Sequence, residues 1–83
     1  MKPKDKKEIV KVEWEDITFF RGEYDKRELE TLINQRIETV GFLVEEDENY
    51  LTIALSLELT EPYRTIDLIK IPKKNVLNRM KLQ

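Results

Sequence analysis

With 83 residues, 40% of them hydrophobic, the chain has material for one compact domain and not for two. Its 15 basic and 17 acidic side chains leave a formal net charge of −2, which argues against extended tracking along nucleic acid. The absence of cysteine and histidine removes disulfides, thiolate chemistry and the commonest general base. No apolar stretch is long enough to span a bilayer and no secretion signal opens the chain, so a soluble cytoplasmic protein is expected.

Residues 1–8 hold lysines, acids and a proline with nothing apolar after the initiator, and read as a tail ahead of a single domain over 9–83. Val10, Val12 and Trp14 then alternate with Lys11, Glu13 and Glu15, the period of a strand with one face buried, and Trp14 is assigned to the core. Phe19 and Phe20 are adjacent, so an extended backbone sends them to opposite sides, one to the core and the other to a partner. Asp25 with Glu28 three residues later forms a capping box for a short helix. Leu29, Leu32, Ile33 and Ile37 at helical spacing predict that this helix lies against the sheet.

A second strand is expected over 38–45, with Gly41 marking a bulge or a strong bend. Glu45 to Glu48 form an acidic tip, read as a solvated turn and not as a metal site, because consecutive side chains at a hairpin tip diverge. Leu51, Ile53, Leu55, Leu57 and Leu59 alternate without a miss, which predicts a third strand with all five on one inward face. Thr65 to Ile71 supply a fourth strand whose apolar phase changes after Leu68, as a bulge there would cause. Val76 to Leu82 supply the last strand after the tight turn opened by Pro72.

Strand, helix, then four closely spaced strands imply a mainly β, α+β molecule: a five-stranded, strongly bent antiparallel barrel with one short helix after the first strand. That order, together with Ile71, Pro72 and Val76, resembles the SH3-like and Sm-like small barrels, which implies a turn of 3₁₀ helix before the final strand. Trp14, the run from Thr39 to Glu46 and the closing Ile71-Pro72 also resemble short uncharacterised bacteriophage proteins. This second resemblance implies a viral accessory protein in a bacterial cytoplasm. The chain departs from Sm-like RNA binders in having Ile71-Pro72-Lys73 where an Arg-Gly pair is expected. It departs from SH3 domains in having Asn75 at the position of the groove tyrosine.

No paired-carboxylate, nucleophile or phosphate-loop pattern is present, so the expected function is non-catalytic binding, with no cofactor. Three classes of partner follow. A protein partner would be met by Phe19 or Phe20 and by the acidic tip. An anionic, nucleotide-like ligand would be met by Lys73, Lys74, Asn75 and Arg79, with Tyr63 and Arg64 from the preceding loop. RNA is the third. Self-association is expected as well, because so small a core only narrowly offsets the entropy of ordering the chain. The acid-free final segment and the acidic tip are read as opposite fields at two ends of the molecule.

Overall fold

The computed structural model describes residues 7–83. Most of the segment read as a tail therefore lies outside the described residues. Five strands, β1 (Glu8–Glu15), β2 (Arg36–Glu46), β3 (Tyr50–Glu58), β4 (Arg64–Pro72) and β5 (Val76–Lys81), form one antiparallel sheet in the order β4-β3-β2-β1-β5. A helix of four residues, α1 (Lys26–Leu29), sits in the long β1–β2 connection, and a 3₁₀ turn at Lys73–Asn75 introduces β5. No ladder joins β4 to β5. The sheet is open, and the closed barrel expected from the strand count is not formed.

The sheet curls nonetheless, and the core records it. Val10, Val12 and Trp14 of β1 pack against Leu51 and Ile53 of β3 and Ile71 of β4, with Ile37, Leu43, Ile69 and Val76 at the margin. Since β1 and β4 are not neighbours in the sheet, their side chains meet only through curvature. The bend lies in β2. A Cβ built on Gly41 would stand 2.6 Å from both the Ala54 carbonyl oxygen and Ile53 Cγ2, so β3 approaches this backbone more closely than any side chain permits. The register between β2 and β3 slips between Leu43 and Glu45, a bulge that adds twist at the corner. Trp14 is buried as expected, and its indole N–H donates to Thr39 Oγ1 at 2.9 Å, giving the ring's polar edge a partner inside the core.

Four expectations are corrected. The leucine ladder does not line the interior along its length. Leu51 and Ile53 are buried, whereas Leu55 and Leu59 are 59% and 56% exposed. Burial stops at Ala54 because β2 pairs with β3 only as far as Phe42↔Ala54. Beyond it β3 and β4 project as a two-stranded arm. The phase change in β4 is not a bulge either. One register holds from Tyr50↔Pro72 to Glu58↔Arg64, and the change is taken up at Asp67, whose φ of 56° lies in the left-handed region that short polar side chains tolerate.

The capping box forms as read, with Asp25 Oδ1 accepting from the Glu28 N–H and Glu28 Oε1 accepting from the Asp25 N–H. The helix behind it is a single turn that buries nothing. Thr31 bonds back to the Glu28 carbonyl through both N–H and hydroxyl, tightening the chain out of the helix. Ile37 belongs to β2, opposite Trp14. One turn without a packed face is too short to sustain a helix in water, and Thr31, Ile33 and Asn34 add little propensity. Finally, neither Phe19 nor Phe20 enters the core. Both are exposed, because the connection carrying them runs outside the sheet.

Candidate functional site

Two surfaces were legible as candidates, the basic C-terminal turn and the Phe19-Phe20 segment. The basic turn is built by the β3–β4 hairpin. Pairing of Tyr50 with Pro72 brings the β2–β3 loop beside the 3₁₀ turn, and the Lys73 N–H donates to the Asn49 carbonyl at 2.8 Å. The acidic tip and the basic segment are therefore neighbours and not opposite poles. Lys73 Nζ lies 2.6 Å from Glu46 Oε2, and Arg79 Nη1 lies 3.2 Å from Glu46 Oε1. The Lys73 ammonium, then the Arg79 guanidinium, hold the Glu46 carboxyl below its ordinary range by hydrogen bonding its charged form.

The tip itself is an internally bonded turn. Asp47 Oδ1 accepts from the N–H groups of Asn49 and Tyr50, both at 2.8 Å, and these two donors lower the Asp47 pKa. Among the described residues, no group of three or more carboxylates is arranged to hold a metal ion.

Of the six residues read as ligand contacts, the structure gathers only part. Lys73 and Arg79 are engaged by Glu46. Asn75 donates its side-chain amide to the Glu15 carbonyl at 2.9 Å and so ties the turn to β1. Lys74 is exposed on a shallow hollow of about 270 Å³ shared with Glu48, Asn49, Tyr50, Pro72 and Lys73. Tyr63 and Arg64 stand at the opposite end of β4, roughly 25 Å along the strand from this turn. They are not brought together with Lys73. The contact that sequence reading missed is Glu46; its signal lay in the hairpin spacing that sets the tip beside Pro72. A second missed contact is the cation–π pair of Lys70 Nζ, 4.8 Å from the Tyr50 ring centroid.

The other surface is stronger in apolar area. Along the β1–β2 connection Phe19 is 83% exposed, Ile17 82% and Ile33 76%. The connection is held at its base by the Asp16 N–H donating to the Gln35 carbonyl at 2.8 Å and by the Gln35 N–H donating to Thr18 Oγ1 at 3.0 Å. Its two ends are thus fastened together while its apolar side chains face water. Ile17 followed no periodic pattern that would have singled it out in the sequence, and Ile33, which helical spacing assigned to a face packed on the sheet, is exposed because the helix ends at Leu29.

Among the described residues no helix is long and apolar enough to cross a membrane. Compared with family models, curated proteins and solved structures, the chain matches none. The fold and the surface define the class no further than a small open-sheet β protein with a fastened, apolar loop.

Proposed function

We propose that the chain is a non-catalytic binding module that docks on another protein through the β1–β2 connection, with Phe19 as its central contact and Ile17 and Ile33 beside it. The observation that carries this reading is the exposure of three large apolar side chains on a loop whose ends are pinned by hydrogen bonds. An aromatic anchor on a positioned loop is the arrangement that concentrates binding energy, and a soluble domain gains nothing by leaving it wet. Phe20, less exposed than Phe19, supplies the flank.

The strand order and the 3₁₀ turn before β5 support an SH3-like or Sm-like kinship for the sheet. In that setting we read the protein as a phage-type accessory protein acting in a bacterial cytoplasm. Capture of an anionic nucleotide-like ligand is the weaker reading. Glu46 already engages both Lys73 and Arg79, leaving one net positive charge between them, and the hollow beside Lys74 is smaller than the roughly 300–1,000 Å³ usual for ligand pockets. RNA binding has less support still.

The test compares wild-type protein with Phe19→Ser and Ile17→Ser as immobilised baits in a bacterial lysate, with folding checked by circular dichroism. A partner retained by wild type and lost from both variants supports docking through this loop. Equal retention sinks it.

A further inference from the structure

We infer that the interval where β2 and β3 separate is a self-association interface, filled by the β3–β4 arm of a second copy of this chain. β2 pairs with β1 from Arg36 to Leu43, but with β3 only from Phe42 onward. β3 beyond Ala54 pairs with β4 alone. Two strands adjacent in sheet order therefore splay apart, leaving an edge of β2 over residues 36–41 and an edge of β3 over residues 55–58 without a ladder. Among the described residues no other backbone hydrogen bond reaches either edge. Between them lies a cleft of about 470 Å³, with Val40 on one wall and Leu55 and Leu68 on the other, and with Glu38 and Asp67 also in its lining.

Unpaired strand edges beside apolar side chains are a template for another strand. The chain does not close the gap on itself. Carrying the register of Phe42↔Ala54 onward would set Glu38 opposite Glu58, and like charges in that position repel. The positive φ at Asp67 also breaks the regular strand conformation in this stretch of the arm.

The occupant is argued from what the arm lacks. A two-stranded hairpin is marginal in water on its own, and this one exposes Leu55, Leu59, Ile66 and Leu68. It needs a cover, the cleft needs a strand, and both are on one chain, so a two-fold operation supplies each with the other. The lengths agree, since both open edges run about four to six residues.

So does the area. The accessible surface is 6757 Å², against about 5,200 Å² expected for a compact monomer of this mass. The excess, about 1,500 Å², belongs to the exposed arm and the exposed β1–β2 connection together, and it exceeds the roughly 800 Å² each partner contributes to a stable interface. The radius of gyration, 16.7 Å against about 12 Å for a compact domain of this length, agrees. Charge favours the same pairing, because Arg64 at the outer end of the arm makes no ion pair among the described residues, while Glu38 has only Lys11 at 4.0 Å. The interface goes beyond loop docking and uses none of Ile17, Phe19 or Ile33, so either can fail without the other.

Light scattering on the full chain across a dilution series tests it. Twice the 10.0 kDa of one chain is expected at high concentration, falling to one chain on dilution. Leu55→Lys and Val40→Lys, one on each wall, are each expected to give a single chain throughout, with Trp14 fluorescence reporting that the fold is intact. Should either variant unfold, amide exchange on wild type decides. Cleft-facing amides of residues 37–41 and 55–58 are expected to exchange on the order of 100-fold more slowly in the dimer than after dilution. A wild-type chain monomeric at every concentration, a dimer that survives both substitutions, or exchange indifferent to dilution overturns the inference.

Discussion

Glu46 reaches Lys73 and Arg79 at once, through separate carboxylate oxygens at 2.6 and 3.2 Å, and so fastens the end of β2 to the 3₁₀ turn and to β5. β5 pairs with β1 on its other flank, so this one carboxylate bridges the two halves of the curled sheet where no ladder does. All three groups are part exposed, which keeps each ion pair modest. Glu46→Gln is expected to cost about 1 kcal/mol, the upper end for such pairs. At this chain length that is a fall of about 4–8 °C in Tm, readable by thermal melting monitored at Trp14.

Acid should act through the same corner. The Glu46 and Asp47 carboxyls are both lowered in the folded chain, so the unfolded chain takes up its protons first as pH falls. Their contribution is complete above the ordinary carboxylate range and is lost as pH drops through the depressed folded values. Urea midpoints measured from neutral pH downward are expected to decline in that acid window. The decline should be shallower in Glu46→Gln, which removes one of the two titrations.

Of the two glycines, Gly41 is the one with no room for a side chain. Gly41→Ala sets a methyl group 2.6 Å from a carbonyl oxygen of β3, and the backbone there has no flexible end that can move aside. A loss of about 2 kcal/mol or more in unfolding free energy is expected, read as a lower urea midpoint. Gly22→Ala meets nothing within 4 Å, and its cost, about 1 kcal/mol, arises only from a φ of 104°.

Two isoleucines separate core from loop. Ile53→Ala empties a fully buried site between β1 and β4 and is expected to cost about 2–5 kcal/mol. Ile33→Ala, in the segment expected to lie as a helix against the sheet, is expected to shift stability by no more than about 0.5 kcal/mol. Denaturant unfolding of the two variants side by side distinguishes them.

The sequence by itself determined what local chemistry determines. Alternation around Val12 placed β1 and buried Trp14, the Asp25–Glu28 pair located the helix start, and Pro72 located the turn before β5. In each case the information lies within a few residues and the backbone responds to it locally. Tertiary structure decided the rest. Leu55 stands in the same alternation as Ile53, two positions on, yet one is wet and the other dry, because β2 turns away at Gly41 and accompanies β3 only to Ala54. Likewise Glu46 and Lys73 are 27 positions apart in the chain and meet only because the β3–β4 hairpin folds the acidic tip onto the basic turn. Burial and charge pairing depend on what stands opposite a residue, and that depends on how far each strand is accompanied by its neighbour.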